Sequence, residues 1–137
     1  MNAPKLGALI LALSISGCLW PSAPETPVKL TDTQWADYWS RLERSWPAFF
    51  ESQCVKAPGL PLMNDVREWV KEIVEVPNEW MTERGVACTY SRKHRKIRIG
   101  DNRWDSCVPH ELGHAACHLL GVDVCVDFEH REYISQC

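Results

Sequence analysis

The densest chemistry in the chain lies in VPHELGHAACHLLG, residues 108–121, which holds three of its five histidines, a glutamate and a cysteine. His110 and His114 are four residues apart. On a helix turning about 100° per residue they fall about 40° apart on one face, a single turn from each other. Both imidazoles can then reach one ion about 2 Å from each ring nitrogen, the bond length of zinc. Glu111 falls about 100° from His110, beside the pair and off its axis. A carboxylate there is placed to hold a water on the metal instead of binding the metal itself. Zinc brings the pKa of such a water towards neutrality, and the carboxylate accepts its proton as it attacks a carbonyl. The H-E-x-x-H spacing follows from that division of labour.

The helix that must position these groups is well specified. Val108, Leu112, Ala115, Ala116 and Leu119 fall between about 140° and 240° on the same wheel, so one side can meet metal and the other is core. Ser106 is expected to cap the start, Pro109 to fall in the first turn and Gly121 to end the helix. His118 continues the i, i+4 series. Eight residues at 1.5 Å each, however, put it about 12 Å along the axis from His110, while two ligands of one ion lie within about 4 Å. His118 is therefore expected to pack or hydrogen-bond near the site, with a supporting role behind the ligands as its functional alternative.

HELGH matches the zincin metallopeptidase signature, and HELGHAACH resembles the helix of small HExxH peptidases of the ImmA/IrrE type. The likeness covers residues 97–121. It implies a minimal zincin-like domain with an edge strand that aligns the substrate ahead of the helix, and KIRI at 96–99 stands in that place. The metzincin extension is absent, because Cys117 stands where its glycine would be and Leu120 where its third histidine would be. In glutamate-type zincins the third ligand is a glutamate on a following segment. The tail GVDVCVDFEHREYISQC offers Asp123, Asp127, Glu129, His130 and Glu132. Asp127 reads as a helix cap and Glu129 as the third zinc ligand, with His130, Glu132 and Asp123 left open. Tyr133, His130 or Arg131 could stabilise the oxyanion.

The first residues bear on location. Lys5 and the amino terminus precede an apolar run from Leu6 to Ile15, too short to span a bilayer comfortably, which reads as a signal peptide. ISGC at its end resembles the bacterial lipobox. That resemblance implies lipidation of Cys18, a membrane anchor and a domain in the bacterial cell envelope, facing the periplasm or exterior. An uncleaved anchor or an ordinary signal peptide is the alternative. The segments expected are a signal peptide over 1–17, the lipidated cysteine and a proline-rich tether over 18–30, and the domain over 31–137.

The 45% apolar composition is that of a globular chain. A net charge of −3, with both signs interspersed, gives no electrostatic reason to propose nucleic acid as a partner. Seven cysteines less Cys18 leave an even number in an exported domain, which fits a disulfide framework of open pairing. An oxidising compartment also makes thiolate ligation less favourable. Cys107 or Cys117 beside the histidines is the alternative ligand set.

Elsewhere the pattern alternates between helix and strand signals. Thr31 or Thr33 can cap a helix carrying Trp35, Trp39, Leu42 and Trp46 on one face, and Pro47 should end or kink it. Asn64 or Asp65 then caps a helix carrying Val66, Trp69, Val70 and Ile73, closed by Pro77. GVACTYS and KIRIGD read as a hairpin around the basic turn RKHRK, which could meet lipid headgroups or acidic substrate but reads first as a solvated tip. The class expected is α+β, mostly helical and stapled by disulfides. The function expected is zinc-dependent hydrolysis of a peptide or protein, with a non-catalytic zinc-binding or disulfide-stabilised interaction lipoprotein as alternative.

Overall fold

A computed structural model describes residues 23–52 and 56–122. The elements in order are β1 (Thr26–Pro27), α1 (Asp32–Ser52), α2 (Met63–Trp69), β2 (Glu72–Val76), α3 (Asn78–Thr82), β3 (Cys88–Ser91), β4 (Lys96–Gly100) and α4 (Trp104–Leu120). The fold is α+β. Its four-stranded sheet runs β1-β2-β4-β3, with β2 and β4 parallel and each outer strand antiparallel to its neighbour.

Helix α1 starts on a capping box. The Gln34 backbone N–H donates to Thr31 Oγ1 at 3.2 Å, and the Thr31 N–H donates to Gln34 Oε1 at 2.9 Å. Trp35, Trp39, Leu42 and Trp46 are buried as the stripe implied, and Tyr38 and Phe50 join them. The helix continues through Pro47 to Ser52, where the sequence points to a break. An internal proline costs about 3 kcal/mol. Full burial of Phe50 offsets about 1.5–3 kcal/mol of that. The buried Trp46 adds to it through an edge contact with Phe50 at 4.8 Å and an indole N–H donated to the Pro58 carbonyl at 2.8 Å.

The second helix expected from sequence is divided. It runs only over Met63–Trp69, with Leu62 at its N-cap in place of Asn64 or Asp65, and EIVEV leaves it as β2. Val66, Trp69, Val70 and Ile73 do suit a helical face, but β-branched residues on alternating faces also suit a strand. Pairing decides: β2 is bonded on both sides, to β1 and to β4. Ile73 then faces the main core, while Val74 and Val76 pack with Met81 of α3 in a smaller one. The short helix α3 had no expectation attached to it.

Part of the segment expected as a tether, 18–30, packs with the fold. Thr26 and Pro27 pair with β2, the Val28 N–H donates to the Ile73 carbonyl at 2.8 Å, and Leu30 is buried. Glu25 is fastened to β4 by Lys96 and by Arg98 at 2.8 Å. Burial alone would raise the Glu25 pKa, but these two cations hold it below the ordinary carboxylate value. Residues 1–22, with the expected signal peptide and Cys18, lie outside the described residues. No helix among the described residues is long and apolar enough to cross a membrane.

Candidate functional site

Helix α4 lies against α1, α2, β3 and β4 and carries the histidines. It begins at Trp104, two residues before the expected cap. Arg103 takes the N-cap position, and the Ser106 hydroxyl donates instead to the Arg103 carbonyl at 3.1 Å. Pro109 therefore sits in the second turn and has no N–H to give Asp105, a defect in the ladder one residue before His110. The other end matches expectation. Gly121 is left-handed at φ 67°, its N–H meets the His118 carbonyl at 3.1 Å, and the Val122 N–H meets the Cys117 carbonyl at 3.0 Å. That pair of bonds is a Schellman stop.

The apolar back of α4 is in the core. Val108, Leu112, Ala115 and Ala116 are each fully buried. Gly113 lets α1 come close, since a Cβ there would stand 3.3 Å from Leu42 Cδ1. A disulfide, Cys88–Cys107, joins β3 to α4 one turn before His110, with Cα atoms 5.8 Å apart. Cys117 is also disulfide-bonded. Neither Cys107 nor Cys117 is thus available as a thiolate, and the cysteine-ligand alternative falls.

On the opposite face His110 and His114, both half-buried, turn their Nε2 atoms towards each other at 3.2 Å, with ring centroids 4.8 Å apart and planes 81° from parallel. Two nitrogens each about 2.05 Å from a tetrahedral ion stand about 3.3 Å apart, so the pair is spaced as two ligands of one zinc. In the metal-free protein the same separation lets one neutral ring donate a hydrogen bond to the other. Glu111 has no exposed surface and is the one fully buried charged side chain among the described residues. A carboxyl in a core is costly where leucine would pack freely.

His118 is turned away from this pair. Trp69 Nε1–H donates to the Tyr90 hydroxyl at 3.1 Å, and the same hydroxyl lies 2.9 Å from His118 Nδ1. The Trp69 and His118 rings meet edge to face at 5.0 Å. Burial, followed by the charges of Arg92 and Arg95, pushes the His118 pKa below the usual imidazole value. The expected hydrogen-bonding role of His118 is what the geometry shows. Its partners were not legible, because Trp69, Tyr90 and His118 stand on α2, β3 and α4 and meet only through the topology.

The edge-strand expectation needs correction. KIRI forms β4, which lies between β2 and β3; the outer strand beside α4 is β3, with sequence CTYS. The partner that covers β4 is EIVEV, whose pattern suits a helical face as well as a strand. The hairpin around RKHRK is present as expected. Among the described residues no group of three or more His, Cys, Asp or Glu side chains comes together to hold a metal. The residues expected to complete the site, Glu129 with His130, Glu132 and Asp123 as alternatives, lie outside the described residues, as do Arg131 and Tyr133. Comparison of the chain with protein-family models, curated proteins and solved structures gives no match.

Proposed function

We propose that this protein is a zinc-dependent metallopeptidase of the bacterial envelope, tethered to a membrane through lipidated Cys18. The observation that carries the reading is the 3.2 Å between the Nε2 atoms of His110 and His114, the spacing of two zinc ligands. These two imidazoles would hold the ion, with Glu129 as the third ligand. Bound zinc would supply Lewis acidity and an acidified water. Glu111 follows His110 directly and serves as general base, accepting a proton on its carboxylate and passing it to the leaving amine. Among the described residues β3 is an outer strand next to α4, an edge along which an extended peptide could add.

A second reading, a zinc-binding lipoprotein without catalysis, is favoured by the complete burial of Glu111, since a general base must meet water. Glu111→Gln separates the two, because it keeps shape and removes the base. The peptidase reading expects zinc content and fold unchanged and hydrolysis of an unstructured protein substrate reduced about 10²–10⁴-fold. Hydrolysis that survives in Glu111→Gln contradicts that mechanism.

A further inference from the structure

The hairpin between β3 and β4 divides its cations unequally. Lys96 and Arg98 on β4 are both paired with Glu25, and Lys96 also with Glu72 at 3.6 Å. Arg92, Lys93 and Arg95 in the turn form no ion pair with any described carboxylate. Arg92 and Lys93 are exposed. Arg95 is held flat, its guanidinium carbon 3.6 Å from the centre of the Trp69 ring. It also adopts φ 48°, a left-handed conformation that hairpin turns fill more readily with asparagine or glycine. An arginine there is stacked, oriented and backbone-strained, which sets it apart from a solvated lysine.

The same Trp69 starts a second chain of contacts. Its indole N–H donates to the Tyr90 hydroxyl, which shares a second hydrogen bond with His118 Nδ1. His118 Nε2 makes no hydrogen bond to any described residue, and where the Tyr90 hydroxyl donates to Nδ1 a neutral ring carries its proton on Nε2. In that tautomer the imidazole is an N–H donor, and its ring meets at 5.0 Å the Trp69 ring on which Arg95 stacks. His118 lies one helical turn past His114, about 6 Å along the axis. An arginine stacked in place, an exposed arginine and an imidazole N–H, unmatched by any described acid, suit a carboxylate.

We propose that Arg92, Arg95 and the Nε2–H of His118 form a carboxylate-binding subsite beside the His110–His114 pair, which selects peptides bearing an acidic residue. The use of the subsite in cleavage rests on the peptidase reading, whereas carboxylate binding does not.

The test uses the full-length chain and two probes, a capped alanine pentapeptide with a central glutamate and the same peptide with glutamine. Binding is followed by calorimetry and by the His118 ring resonances, with and without added zinc. The glutamate peptide is expected to bind at least ten-fold more tightly, to shift His118 and to weaken with salt. Arg92→Gln, at an exposed position that leaves the fold intact, is expected to remove most of that preference, and Arg95→Gln the rest. Equal affinity for the two peptides, or a preference that survives both variants, overturns the proposal. Binding to phosphatidylglycerol vesicles without any peptide preference overturns it too, and reassigns the cations to a membrane contact. Glutamate preference without zinc binding keeps the subsite and removes the peptidase reading; hydrolysis indifferent to glutamate does the reverse.

Discussion

His110 and His114 at one end of the histidine face, and His118 at the other, share a helix and a spacing but not a fate. The first two turn their Nε2 atoms to each other, whereas His118, also four residues past a histidine, turns to Tyr90 and Trp69. Spacing on a helix brings side chains within reach. What each one then binds is set by the element that covers it. The His118 end is covered by α2 and β3, and there a tyrosine hydroxyl holds the ring. The His110 end is fastened by the Cys88–Cys107 disulfide one turn ahead of the pair, while Cys117, beside His118, carries a disulfide of its own.

Perturbations can be aimed at both ends or at one. Leu112→Ala strikes the buried back of the helix that both ends share. It should cost about 2–5 kcal/mol in denaturant unfolding and disturb His110 and His118 resonances together. Replacing Cys88 and Cys107 by serine acts on the His110 end. A cross-link closing a loop of this length is worth about 3 kcal/mol, so the unfolding midpoint should drop while the Tyr90–His118 hydrogen bond persists by NMR. A disrupted His118 with an unchanged His110 would reverse the assignment of the two ends.

Tyr90→Phe is the converse and gentler change. It removes one hydroxyl from a half-buried network and should cost about 1 kcal/mol. The His118 ring should then lose its Nδ1 partner, visible in its nitrogen shifts, and zinc binding should be unaltered. The smallest effect is on pH dependence. His118 has a lowered pKa in the folded protein, so below about 6.5 the unfolded chain binds the proton more readily. Its contribution is fully present above about 6.5 and is lost as pH falls towards the lowered folded value. Unfolding free energy should therefore rise with pH through that window, with a shallower slope in His118→Gln.

The legible parts of this molecule are those whose information is local. The apolar back of α4, the Gly121 stop, the tryptophan stripe of α1 and the basic hairpin all follow from periodicity and turn chemistry. The parts misread depend on distant partners. EIVEV becomes a strand because β1 and β4 flank it, and β4 loses its edge for the same reason. Pro47 stays inside α1 because buried aromatic packing outweighs the missing hydrogen bond. At the site, the His110–His114 geometry was readable from a single turn of helix. The Trp69–Tyr90–His118 chain was not, since it joins three elements.

The pair of His110 and His114 is proposed as a zinc site. Its most direct test is the zinc content of the purified full-length chain, measured by elemental analysis against His114→Ala, with circular dichroism to confirm that both are folded. The expected result is one zinc per wild-type chain and none in the folded variant. A wild-type chain without zinc, or a variant that keeps it, contradicts the claim.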